Sequence, residues 1–314
     1  AMTDASPPPA STPPPVLVVL AAGLGTRYGG LKQLDPVGPD GSALLDYALA
    51  DARRTGFERG VVVVRREIEE EVRAHLERTV AGRMPVDLVE QRMGDLPGGA
   101  DPPRGRDRPW GTSHAVWATR DAVDGPFVVA NADDHYGVEA YRALASHLGS
   151  ADRDGAWGLA GYRLGDVLSE HGPVNRGLCR VDDEGWLRDV VEGRGLRRTA
   201  EGVVEGWIRE EGPVRLTGEE PVSTNLWAFD RAVFPFLEGE LARFLAERGR
   251  SEPGAECLLP DVVRRGLEEG ACRVRVRRVD ARFFGVTHPG DRPRVVRGLA
   301  RRGPAWTDDR RREG

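Results

Sequence analysis

Apolar strands alternate with helices through the first half of this chain, and that rhythm restricts the fold more than any other feature. Val16 to Ala21 is an unbroken apolar run followed by a glycine-rich turn. Leu44 to Arg54 has helical periodicity that stops near Gly56, and Val61 to Val64 reads as a second buried strand. Arg66 to Val80 predicts a helix, Val86 to Glu90 a third strand, Ser113 to Val123 a helix, and Phe127 to Ala130 a fourth strand. Strands that are apolar throughout need cover on both faces. The expected fold is therefore α/β, with three α/β/α layers around a mixed, mostly parallel sheet.

The second half is more irregular. Ala156 to Arg163, Leu178 to Val181, Leu187 to Glu192 and Ser223 to Phe229 read as strands, and Arg231 to Glu247 and Leu258 to Glu269 as helices. Residues 1–15, rich in Pro, Ser, Thr and Ala, are expected to be a flexible tail, and residues 301–314 a C-terminal tail. Between them, 16–300 is expected to form a single domain with halves 16–150 and 151–300. The segment from Gly94 to Pro109 is dense in proline and glycine and is expected to be mobile, able to act as a lid.

The net charge of -5 argues against a general nucleic-acid or membrane surface. The run Arg273-Val274-Arg275-Val276-Arg277 alternates, so it reads as a strand with one solvated face. Cys179, Cys257 and Cys272 are far apart and lack metal-ligand spacing, so they read as small apolar filler. With no apolar run of membrane-span length and no signal-peptide pattern, a cytoplasmic enzyme is expected.

Sheets of this kind place ligands at the carboxyl ends of their strands. Three segments lie at such ends: the glycine loop after the first strand, the region of Gln91 after the third, and Asn131-Ala132-Asp133-Asp134 after the fourth. The loop Gly23-Leu24-Gly25-Thr26-Arg27-Tyr28-Gly29-Gly30-Leu31-Lys32 offers backbone N–H groups to phosphates. It fits neither the dinucleotide fingerprint, whose third glycine position is Tyr28, nor the P-loop, since Lys32 is followed by Gln33. Of the 45 lysines and arginines, Lys32 is the only lysine. A compact ammonium enters pockets that the planar guanidinium fork does not, which suggests that this position resists arginine.

These residues resemble a known family. Leu20-Ala21-Ala22-Gly23-Leu24-Gly25-Thr26-Arg27 with Lys32-Gln33 is similar to the signature of the sugar-nucleotide pyrophosphorylase superfamily of nucleotidyltransferases, and the likeness extends over most of residues 16 to 300. The resemblance implies a Rossmann-like, glycosyltransferase-A-like fold, with 16–150 the nucleotide-binding half and 151–300 the acceptor-binding half. It implies a loop with Ala22, Gly23, Gly25 and Thr26 around a nucleoside triphosphate, with Arg27 and Lys32 on the reacting phosphates. Pro109-Trp110-Gly111-Thr112 is similar to the base-contacting segment, and Gln91 is the implied base reader. Asp133 is the implied ligand of a catalytic Mg²⁺. On the acceptor side Asp134, Gly172, Glu192, Arg194 and Asn225 are implied, and Phe283-Phe284-Gly285-Val286-Thr287 resembles a branch with a Gly-Val-Thr segment near its end. The implied reaction transfers a nucleoside monophosphate from an NTP to a sugar 1-phosphate or similar phosphorylated small molecule and releases pyrophosphate.

Two departures qualify this. Many members carry a second metal-binding Asp where Gly285 stands, and a Lys where Gly193 stands. Asp280, Asp291 or Asp134 can replace the first, with Asp291 preferred because it follows the Gly-Val-Thr turn; Arg194 or Arg197 can replace the second. The alternatives are a glycosyltransferase using a ready-made nucleotide sugar, and a nucleotide-sensing homologue without catalysis. If Lys32 is a charge partner of the reacting phosphates, Lys32→Arg is expected to cut turnover by about 100-fold with an unchanged melting temperature. Near-normal activity in a steady-state assay overturns that role.

Overall fold

A computed structural model describes residues 13–23, 32–252 and 254–306. The first half runs β1 (Val16–Leu20), α1 (Leu44–Arg54), β2 (Arg59–Val64), α2 (Glu69–Thr79), β3 (Val86–Glu90), α3 (Thr112–Trp117), β4 (Phe127–Asn131), β5 (Asp134–His135) and α4 (Val138–Gly149). The second half continues with β6 (Trp157–Arg163), β7 (Val174–Val181), β8 (Leu187–Arg198), β9 (Val204–Ile208), β10 (Gly212–Leu216), β11 (Pro221–Phe229), α5 (Val233–Phe244) and α6 (Leu259–Glu268). β12 (Val274–Arg278), β13 (Phe284–Gly285) and α7 (Arg292–Arg302) complete it.

Among the described residues one eleven-stranded sheet has the order β10-β9-β8-β7-β11-β4-β1-β2-β3, with β6 joined to β11 and β12. The expected parallel character holds for β4-β1-β2-β3 and for β6-β12. From β11 outward through β7, β8, β9 and β10 the pairing is antiparallel. The sheet is therefore mixed, with its parallel pairs concentrated in the first half and at β6–β12, because hairpins rather than helical crossovers link strands β7 to β10.

Alternate residues of each central strand enter opposite cores. Leu17 and Val19 of β1 meet Leu45 and Leu49 of α1, Val72 of α2 and Leu144 of α4. Val16 and Val18 face the other way, with Val116 of α3, Leu237 of α5 and Val262 of α6. The sheet is thus sandwiched between two helical layers, and each buried aliphatic side chain contributes about 1.5–3 kcal/mol. No helix among the described residues is long and apolar enough to cross a membrane. All three cysteines are free, and burial pushes each thiol up to about 12.

Several local expectations shift. The helix expected over Ser113 to Val123 stops at Trp117 and gives way to turns. The 94–109 segment is anchored rather than loose: Arg106 donates to the carbonyls of Arg108, Pro109 and Ala255 and stacks 3.6 Å from the Trp110 ring. At its start, Arg120 makes a two-pronged ion pair with Asp95 at 2.9 Å.

Residues 301–306, placed in a tail by the sequence reading, are packed. The Tyr47 hydroxyl donates to Gly303 O at 2.8 Å, Arg54 donates to Ala305 O at 2.7 Å, and Ala305 is fully buried. Helix α7 clamps two parts of the first half. At its start Arg292 forks onto Asp35 at 2.9–3.2 Å, just after the short 3₁₀ turn Lys32–Leu34. At its end Arg302 pairs with buried Asp51 and lies 3.3 Å from His135 Nε2, while Gly137 N–H donates to His135 Nδ1.

Burial, followed by the Arg302 charge, pushes the His135 imidazole from 6.5 down to about 3. The unfolded chain takes up a proton near pH 6.5 that the folded chain refuses until about pH 3. Stability is fully present above pH 6.5 and falls as the pH drops toward 3, by about 1.4 kcal/mol per unit from this residue. His135→Asn, which keeps an acceptor for Gly137 N–H, is expected to flatten that slope in urea unfolding measured from pH 4 to 7. An unchanged slope counts against the assignment.

Candidate active site

The register of the parallel strands assembles the site. Leu20 at the end of β1 lies opposite Asn131 at the end of β4, and Ala132 N–H donates to Leu20 O at 3.1 Å. Residues 21–23 and the Asp133-Asp134 turn therefore leave the sheet side by side. Gln33 closes the base of that loop: its buried amide donates to Ala21 O at 3.1 Å and to Gly23 O at 2.9 Å. Buried Ala22 and exposed Gly23 lead into the loop. Gly25, Thr26 and Arg27 lie outside the described residues, as does the side chain of Lys32.

Asp134 is oriented by a chain of side-chain amides. Trp227 Nε1 donates to Asn225 Oδ1 at 3.0 Å, Asn225 Nδ2 to Asn131 Oδ1 at 2.8 Å, and Asn131 Nδ2 to Asp134 Oδ2 at 2.9 Å. Asn225 has a left-handed φ of 66° where β11 shifts register between Ser223 and Trp227. Asparagine tolerates that conformation better than most side chains, and its amide faces two partners at once. The Tyr136 hydroxyl accepts from Asn131 N–H at 3.0 Å and donates to Thr224 O at 3.1 Å. Burial holds its pKa well above the ordinary value.

Gly285 stands directly opposite Asp134 in the β5–β13 pair. A Cβ there would sit 2.8 Å from Asp134 Oδ1, so glycine keeps the space beside that carboxylate open. Asp291, preferred from sequence as the replacement ligand, occupies a different setting. It is 3% exposed, one oxygen accepts from Ser169 at 2.5 Å, and the other accepts from Thr287 and His288 N–H at 3.2 and 2.8 Å. These bonds use the carboxylate to hold the turn before α7.

One cavity of about 240 Å³ adjoins Asp134. Its walls include the expected residues Thr112, Asp134, Glu192 and Asn225, together with Asn131, Arg176 and Asp261. Asp133 is half-buried in the turn beside it. Arg194 is exposed and clamped onto Glu192 at 2.5–2.6 Å rather than lining the cavity. Gly172 is also away from the walls: a Cβ there would strike the His288 ring, and Gly177 on β7 lines the cavity instead. Nothing in the sequence singles out Arg176 or Asp261.

The region of Gln91 after β3 borders a separate, larger groove of about 1290 Å³ whose walls include Arg65 and Asp107. Gln91 Nε2 approaches Gly111 O at 3.2 Å and His114 Nδ1 at 3.1 Å, while His114 Nε2 lies 2.7 Å from Asp95 O. A carbonyl only accepts, so the His114 proton sits on Nε2 and Gln91 donates to Nδ1. Burial lowers the His114 pKa, consistent with a neutral ring. The Gln91 carbonyl oxygen is left as its acceptor. Trp110, expected at the ligand, is fully buried between Arg106 and Phe244 and donates to Met93 O at 2.9 Å. Gly111 has φ 98°, and a Cβ would meet Cys257 O at 2.6 Å, so the 110–112 backbone can pass there only as glycine. Thr112 Oγ1 accepts from Leu259 N–H at 2.8 Å and caps α6.

Residues 17–157 match the MobA-like NTP transferase domain. No curated protein sequence matches the chain. The fold is similar to that of the inositol-1-phosphate CTP transferase from T. maritima, with TM-score 0.58 and 16% identity over 91% of this chain and 97% of that one. It is also similar to a UDP-glucose pyrophosphorylase complexed with UDP-glucose, at TM-score 0.59 and 16% identity, covering 90% and 97%. HddC from Yersinia pseudotuberculosis complexed with GMP-PN gives TM-score 0.56 and 15% identity, covering 90% and 99%. Residues 17–157 thus match a MobA-like NTP transferase domain, and the chain as a whole has the fold of these nucleotidyltransferases.

Proposed function

We propose that this chain is a pyrophosphorylase-type nucleotidyltransferase that joins the nucleoside monophosphate of an NTP to the phosphate of a small acceptor. The pairing of Leu20 with Asn131 carries the reading, because the strand end that leads into the phosphate-loop sequence lies beside the strand end that leads into an acidic turn at the edge of a cavity. In the reaction an acceptor phosphate oxygen attacks the α-phosphorus, the bond from that phosphorus to the bridging oxygen breaks, and pyrophosphate leaves with the bonding electrons. An ionised phosphate needs no general base, so the protein's task is positioning and charge neutralisation. Arg27 and Lys32 are assigned to the triphosphate and the reacting phosphates. The Gln91 carbonyl and the backbone at Gly111 are assigned to the base.

Asp133 and Asp134 are the proposed holders of Mg²⁺. Among the described residues no group of three or more His, Cys, Asp or Glu is disposed around one metal position. That suits magnesium, which is commonly held by one or two carboxylates and completed by substrate phosphates and water. The opening kept by Gly285 beside Asp134 Oδ1 supports the fit. When bound, the ion neutralises charge on the phosphates as it builds up. Asp291 is left out because hydrogen bonds within its own turn engage both its oxygens. The amide chain through Asn225 and Asn131 aims Asp134, and Arg302 with His135 holds the strand that carries it.

Four NTPs tested by mass spectrometry against sugar, cyclitol and amino-alcohol phosphates, with pyrophosphatase present, are expected to give phosphate release and a nucleotide-linked product with at least one pair. No release with any pair sinks the reading, and release of a nucleoside diphosphate from a nucleotide sugar replaces it with glycosyl transfer. With the working pair, Asp133→Asn and Asp134→Asn are each expected to lower turnover by about 100-fold and to raise the Mg²⁺ concentration needed, with folding intact by circular dichroism.

A further inference from the structure

The cavity beside Asp134 contains an unevenly placed set of charges. Asp134, Glu192 and Asp261 supply carboxylates, and Arg176 on β7 is the one cation among the described residues that line it. Arg176 is fixed in place. Its Nε and Nη2 donate to Val167 O at 3.2 and 2.8 Å, and Nη1 donates to Asn175 O at 2.9 Å. These partners are neutral carbonyls, so the guanidinium keeps its charge while losing its freedom to turn. Of its five N–H groups, one on each terminal nitrogen remains for a ligand. Burial lowers its pKa, and the charge of Asp134 is the strongest influence in the opposite direction.

We propose that Arg176 grips the phosphate of the acceptor and is the residue that makes the cavity select phosphate esters. The inference rests on the nucleotidyltransferase reading and gives it an acceptor orientation. A phosphate at Arg176 lies on the Asp134 side, where an attacking oxygen is needed. The rest of the acceptor then extends toward Glu192 and Asp261, two carboxylates suited to hydroxyl groups. The Thr224 hydroxyl, on a 6% exposed residue of the same wall, has no partner and adds a further polar demand. The arginines expected from sequence do not compete: Arg194 is turned onto Glu192, and Arg197 is exposed further along β8 and away from the walls.

Calorimetry with glucose 1-phosphate and inositol 1-phosphate, each set against the free glucose or inositol, tests this without requiring turnover. The unaltered protein is expected to bind at least one ester more tightly than its alcohol. Arg176→Gln is expected to weaken ester binding by about 10- to 100-fold and leave Mg²⁺–NTP binding within about twofold. Arg176→Lys, which keeps the charge and guards against a folding defect, is expected to fall between the two. Unchanged ester binding in Arg176→Gln overturns the proposal, as does an equal loss of nucleotide binding or no preference for either ester in the unaltered protein. Ester binding through Arg176 without product from any NTP sinks the proposed reaction while leaving this inference standing.

Discussion

The amide chain from Trp227 through Asn225 and Asn131 to Asp134 is the constraint on which the site depends. Its members sit on β11, β4 and β5, so the aim of one carboxylate reports the relative placement of three strands. Indole N–H can only donate, which fixes Asn225 Oδ1 as acceptor and Nδ2 as donor, and so each later amide in turn. A half-buried network of this kind is costly when half-satisfied and rigid when complete. The cores on the two faces of the sheet hold the strands at the spacing the network needs. Hydrophobic burial therefore supplies the stability and the polar chain supplies the precision.

Much of the first half was legible because its signals are local. Leu44–Arg54 and Val86–Glu90 appear with the boundaries that periodicity assigns. The place of Asn131-Ala132-Asp133-Asp134 was also legible, since it follows an apolar strand whose carboxyl end the pattern marks. The elements that escaped have weak local signatures. Helix α7 is rich in arginine and buries only Val295 and Leu299, so it has little apolar stripe to see. β9 and β10 are short and partly exposed. Arg176 escaped for another reason: among 44 arginines nothing in the sequence separates the one that β7 carries into the cavity. Asp291 was chosen for its place in the chain, and only the bonds to Ser169, Thr287 and His288 reveal its use.

Charge is arranged differently on the two sides of the site. On the proposed nucleotide side, the sequence carries Arg27 and Lys32 in the loop whose base Gln33 closes, while the proposed acceptor cavity is acidic except at Arg176. An acceptor is then oriented by sign, with its anionic end drawn one way and its neutral body the other. Position 285 belongs to the same balance. A carboxylate there would face Asp134 across the β5–β13 pair and add a like charge at a spot that glycine leaves neutral.

The same short pair links residues roughly 150 positions apart in the chain. On a ribosome, β1 to β4 can dock into their sheet long before β13 exists, and Asp134 then waits on a strand that lacks its partner. Helix α7, emerging later still, brings Arg302 to His135 and Arg292 to Asp35. A nascent chain can therefore have a formed core before its candidate site is complete, because β13 and α7 emerge only after the core strands.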